Sequence, residues 1–192
     1  GAGNLLGGEQ SGHIAGVGFD LYVRLVGEAI ADFKGESPAD QIIDVKVDLP
    51  VDANLPHDYV TGERLRLELY RKLAAVGSPD DLAAVTDEIV DRYGPMPQPV
   101  QNLVAVAAFR LHARRHGVRE VSMQGGSVRF APVELPDSKV MRLQRLYPRS
   151  LYKHTVRTVS APRPQLRDIA LLDWARGLLD GVLGEPAIAT KS

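Results

Sequence analysis

The sequence has no cysteine and only 6% aromatic residues. Without cysteine there is no disulfide framework, no thiol nucleophile and no thiolate metal site, which fits a reducing compartment. No apolar run approaches the roughly 18 residues that a membrane span needs, and the first residues show no charged-then-apolar signal pattern. The expectation is a soluble cytoplasmic protein with no membrane partner. There is also no fixed-period repeat and no low-complexity segment. What is present is the makeup of a globular protein: 192 residues, 44% hydrophobic, with a net charge of -1.

That small net charge conceals an uneven distribution. Residues 1–36 balance to -3, residues 37–100 to -6 and residues 101–192 to +8. The halves either attract different partners or neutralise one another within one folded body, and a sequence pI near 6.6 favours the second.

Five of the first twelve residues, "GAGNLLGGEQSG", are glycine. Gly1, Gly3 and Gly7 miss the dinucleotide fingerprint by one position, and no Lys-Ser or Lys-Thr follows to complete a phosphate loop. A loop that uses glycine for positive φ is the simpler reading. From Gly18 to Lys34, Phe19, Tyr22, Val26, Ile30 and Phe33 recur at helical spacing, and "GESPADQ" then reads as a linker.

Further on, Val45, Val47 and Leu49 alternate with charged residues as in a half-buried strand. A helix with Leu65, Leu69, Leu73 and Val76 on one face stops at Gly77. Ser78-Pro79-Asp80-Asp81 is a strong helix start, and Gly94-Pro95 a stop, so the next helix is predicted over 79–93. A third, "PVQNLVAVAAFRLHARRHG", is apolar around much of its circumference. Gly125-Gly126 between two alternating runs predicts a β-hairpin. Residues 136–147 read as a helix, "LYKHTVRTVS" as one strand, and "QLRDIALLDWARGLLDGVL" as a final helix. The fold class is α+β: a small, at least partly antiparallel sheet of three to four strands packed by about five helices. A Gly-rich segment and a linking helix precede it.

Chemistry is sparse. His112 and His116 share a helical face at i, i+4, but "ARR" replaces the glutamate of H-E-x-x-H and sets two cations beside any metal. The simpler role is a basic helix C-terminus in which Arg110, Arg114, Arg115 and His116 complement the dipole. No serine has the G-x-S-x-G context, and no nucleophile, base and orienter can be named together. No catalytic or metal-binding residue is expected. Arg142, Arg145, Arg149, Lys153 and Arg157 interleave with Tyr147 and Tyr152, a composition that single-strand binders use.

One acidic feature stands out. With Leu82 at 0° on a helical wheel, Val85, Ile89 and Tyr93 fall within roughly 60° of it, whereas Asp87, Glu88 and Asp91 fall between about 140° and 240° around Ala84. Glu88 and Asp91 also lie in the last turns, where the helix dipole disfavours an acid by about 0.3–1 kcal/mol. Such a face is either solvated or a docking surface for a basic partner.

Together "GAGNLLGGEQSG", "GFDLYVRLV", "VDLPVDANLPHDYV", "RLELYRKLA" and "DEIVDRYGPMP" resemble, in order, the C-terminal end of the bacterial transcription-repair coupling factor family, Mfd. The first block resembles the translocation motif that Mfd shares with RecG, R-G-x-G-x-x-L-G-x-x-Q-S-G. Gly1, Gly3, Leu6, Gly7, Gln10, Ser11 and Gly12 match it, and the leading arginine has no counterpart. The resemblance implies three parts: residues 1–15 as the end of that motif, mobile or irregular in isolation; 16–36 as a linking helix; and 37–192 as a C-terminal regulatory domain.

In the family, the resemblance further implies, ATP and magnesium belong to a motor acting on duplex DNA, so no cofactor and no catalysis are expected in this chain. The C-terminal domain packs on a UvrB-like N-terminal module of the same protein and hides its UvrA-binding surface until RNA polymerase is engaged. Ala84, Asp87, Glu88 and Asp91 are then the expected docking residues. The alternative expectation is an accessory DNA-binding domain that uses the basic half.

Overall fold

The computed structural model describes residues 45–184, which form two compact units: residues 50–108, and residues 45–49 with 109–184. The Gly-rich segment and the linking helix expected over 16–36 lie outside the described residues.

In the first unit, helix α1 (Glu63–Ala75) buries Leu69, Tyr70 and Leu73 and packs on α2 (Pro79–Tyr93), which buries Leu82 and Ile89. The bounds of α2 follow its local chemistry. Ser78 Oγ accepts from the Asp81 amide at 3.1 Å, Pro79 needs no amide partner in the first turn, and Gly94 leaves the helix at φ 85°. Asp81 reciprocates, its carboxylate accepting from the Gly77 amide at 3.2 Å. The preceding stretch has little regular structure, yet Val51, Ala53, Leu55 and Val60 are buried. It is pinned by side chains: Tyr70 Oη accepts from the Leu55 amide at 2.8 Å, and Asn102 Nδ2 donates to the Asp52 carbonyl at 2.9 Å.

Asn102 belongs to α3 (Gln98–Arg115), whose residues to Ala108 fall in the first unit and from Phe109 in the second. Its nearly continuous apolar run is reflected in burial: Val100, Leu103, Val106, Ala107, Phe109, Leu111 and Ala113 are all inside.

The second unit is built on a five-stranded sheet in the order β1 (Lys46–Asp48), β2 (Glu120–Gln124), β3 (Ser127–Ala131), β5 (Thr158–Pro162), β4 (Leu151–Lys153). The β1–β2 pair is parallel and the rest are antiparallel. Val47, Val121, Phe130, Val159 and Tyr152 stand opposite one another in register, so they share one face. The first four are buried. Gly125, at φ 60°, opens the two-residue turn of the β2–β3 hairpin. Helices α4 (Asp137–Leu146) and α5 (Asp168–Leu183) pack on each other, and α5 buries Leu171, Leu172, Ala175, Leu178, Leu179 and Val182.

The fold is α+β with five α-helices among the described residues, and it holds one strand more than the sequence suggests. "LYKHTVRTVS" is two strands rather than one. A 3-10 turn at His154–Val156 and a left-handed Arg157, φ 47°, reverse the chain, so Tyr152 pairs with Val159. No glycine or proline marks this turn, which is why the stretch reads as continuous.

Candidate functional site

The acidic helix α2 presents two kinds of carboxylate. Ala84, Asp87 and Asp91 are exposed on its outer side, with Val90 41% exposed beside them. Neither Asp87 nor Asp91 forms an ion pair among the described residues. Glu88 differs: it is half-buried, and its Oε1 accepts from Lys72 Nζ of α1 at 2.7 Å and from Arg92 at 3.4 Å, one helical turn on. The Lys72 hydrogen bond holds the Glu88 carboxyl below its usual range; partial burial opposes this and Arg92 adds to it. Glu88 thus staples α1 to α2 at the border of the acidic face, while Asp87 and Asp91 point their charge outward. The four residues expected to dock therefore lie on one helix but not in one environment.

The basic half uses many of its groups internally. Arg142 Nε donates to the Gly181 carbonyl, capping the end of α5, and Arg157 pairs with Glu134 at 3.1 Å. Tyr152 Oη donates to the Val133 carbonyl at 2.6 Å and accepts from the Leu135 amide at 3.3 Å. Tyr147 meets Trp174 edge-on, with ring centroids 5.8 Å apart. Both tyrosines of this basic stretch are thus committed to the fold, and Arg145, Arg149 and Lys153 remain exposed. Arg110, expected among the cations that complement the helix dipole, is buried, and its Nε donates to the Val45 carbonyl at 3.1 Å.

A second cluster lies at the ends of α3 and α5. His112 and His116 direct Nε2 to the same oxygen, Asp180 Oδ1, at 2.6 and 3.0 Å. Their side chains are 7% and 3% exposed, and that of Asp180 is 38% exposed. Burial lowers the His112 pKa, with Arg176 adding to the effect, although Asp180 opposes it. For Asp180 burial acts upward, but the bonds from both histidines outweigh it and lower its pKa.

Lys72 and Asp180 are the site residues that sequence reasoning missed. Asp180 carries a readable signal, being an acid in the last turn of an apolar helix, where the dipole disfavours it. Lys72 carries none.

Of the expected site residues, Gly1, Gly3, Leu6, Gly7, Gln10, Ser11 and Gly12 lie outside the described residues. No helix among the described residues is long and apolar enough to cross a membrane.

Comparison with known proteins places these features in a family. The model of the TRCF domain matches residues 49–143. The transcription-repair-coupling factor of Mycobacterium bovis is 47% identical over 205 aligned positions, covering 97% of this chain and 17% of the relative. That of Bacillus subtilis is 31% identical over 156 positions, covering 79% and 13%. The chain thus spans about one sixth or less of the length of these relatives. A crystal structure of the C-terminal domain of transcription-repair coupling factor superposes with a TM-score of 0.59, covering 73% of this chain and 91% of that one, at 16% identity. The chain therefore belongs to the transcription-repair coupling factor family and carries the fold of that family's C-terminal domain.

Proposed function

We propose that this chain is the regulatory end of a transcription-repair coupling factor, acting as a releasable cover. Its acidic α2 face docks on arginines of the UvrB-like N-terminal module and masks the UvrA-binding surface until RNA polymerase is engaged. The motor, with its ATP, magnesium and duplex DNA, belongs to the rest of the parent protein. The observation that carries this reading is the outward pair Asp87 and Asp91, one helical turn apart around exposed Ala84, with no cation of their own among the described residues.

A cover must come off, so a coupling of about 1–3 kcal/mol is the appropriate scale. Exposed ion pairs supply about 0–1 kcal/mol each, so contacts of Ala84 and Val90 must add to them. Glu88 can offer a partner only the acceptor capacity that Lys72 and Arg92 leave, and its first task is to position the helix.

The test is a calorimetric titration of the 192-residue chain with the separately produced N-terminal module of the same parent. Asp91→Arg and Asp87→Arg should each weaken binding by about threefold to tenfold, the equivalent of roughly 0.7–1.4 kcal/mol. They should leave the circular dichroism spectrum unchanged, since both positions are exposed. Wild-type affinity in the double charge reversal would reject this face as the contact.

A further inference from the structure

The His112, His116 and Asp180 cluster has no part in docking through α2. On sequence alone the histidine pair lacked a carboxylate; Asp180 supplies it, 64 residues beyond His116. We propose that His112 Nε2, His116 Nε2 and the Asp180 carboxylate form a binding site for a divalent transition-metal ion of the zinc class, clasping the C-terminal turns of α3 and α5.

Geometry carries the assignment. The candidate ligand atoms all lie within 4.8 Å of one another. The histidines share one face of a helix, with ring centroids 5.0 Å apart and planes at 74°, and both Nε2 atoms point at the same carboxylate oxygen. Zinc bound tetrahedrally at about 2.0–2.2 Å needs ligand atoms about 3.3 Å apart. The present separations from Oδ1, 2.6 and 3.0 Å, require the carboxylate to back away by less than about 1 Å. Asp180 is the partly exposed member, so it has room to do so, and solvent reaches its side of the site.

The chemistry agrees. Two imidazoles and one carboxylate are a three-ligand set that leaves a fourth position open. In the present arrangement one carboxylate oxygen accepts from both imidazoles, so both Nε2 atoms carry hydrogen. For an ion to bind, each neutral ring moves its single proton from Nε2 to Nδ1, which frees the Nε2 lone pair for coordination.

The surroundings set the selectivity. Arg176 faces His112 from α5, Arg114 and Arg115 neighbour the pair on α3, and the Tyr147 hydroxyl feels Asp180. With guanidinium groups close by, charge alone will not hold a cation. Binding must draw on imidazole coordination, which favours zinc, cobalt and nickel over magnesium and calcium.

The experiment uses the full chain, stripped with a chelator and titrated with Co²⁺, then Zn²⁺. The expected result is one equivalent of Co²⁺ giving the intense visible bands of four-coordinate cobalt, displaced by Zn²⁺, with Zn²⁺ raising the melting temperature. Asp180→Asn and His116→Gln should weaken Co²⁺ binding at least tenfold and abolish the thermal shift. His13→Gln, His57→Gln and His154→Gln should leave both intact. Absence of a Co²⁺ spectrum in the wild type, retention of the Zn²⁺ shift in Asp180→Asn, or an equal shift with Mg²⁺ would overturn the assignment. If the site variants do not fold, the wild type still decides. Zn²⁺ must move the ring NMR signals of His112 and His116, and movement confined to the other histidines rejects the site.

Discussion

Lys72 Nζ on α1 donates to Glu88 Oε1 on α2 across 2.7 Å, so the carboxylate at the border of the acidic face already has a cation. Because this bond lowers the folded-state pKa of Glu88, its contribution to stability is fully present above the unfolded carboxylate pKa. It is lost as pH falls through the folded value. NMR titration of the Glu88 carboxyl should therefore give a midpoint below the usual glutamate range in the wild type, moving up in Lys72→Met. A normal midpoint in the wild type would mean that the pair does not form in solution. The pair lies near the surface, so its loss should be small at neutral pH and smaller still in high salt.

Ser78 offers a cleaner measure of local chemistry. Its hydroxyl satisfies an amide of the first turn of α2 that has no partner within the helix. Ser78→Ala should destabilise the chain by about 1 kcal/mol and Ser78→Gly by only a few tenths, read from urea midpoints. Equal midpoints for wild type and alanine variant would show that water replaces the cap without loss.

How much of this was legible in the sequence depends on where the determining atoms lie. The bounds of α2 and the β2–β3 hairpin were readable because Ser78, Pro79, Gly94, Gly125 and Gly126 act on their own backbone. The turn within "LYKHTVRTVS" was not, since Arg157 reaches a left-handed conformation without being a residue that favours it. The acidic face was visible on a helical wheel, yet a wheel gives only direction, not what covers a side chain. Glu88 meets a lysine 16 residues away on another helix, and only folding reveals that. The histidine cluster was half visible for the same reason: the i, i+4 pair is local, and Asp180 is not.

A pair of tyrosines separates contacts that fill a need from those that water can replace. Tyr70 Oη accepts from the amide of Leu55, and both residues are buried, at 6% and 5% exposure. Tyr59 Oη donates to the carbonyl of Gly94 at 2.7 Å, where both residues are half-exposed. Removing one oxygen is the same chemical change at each site, but Tyr70→Phe strands a buried amide and Tyr59→Phe leaves a carbonyl that solvent can reach. Tyr70→Phe should cost about 1–3 kcal/mol and Tyr59→Phe about 0.5–1.5 kcal/mol. Hydrogen exchange at the Leu55 amide should rise in the first variant and stay unchanged in the second. If the two variants unfold at the same urea concentration, the Tyr70 hydroxyl is not what holds residues 51–60 in place.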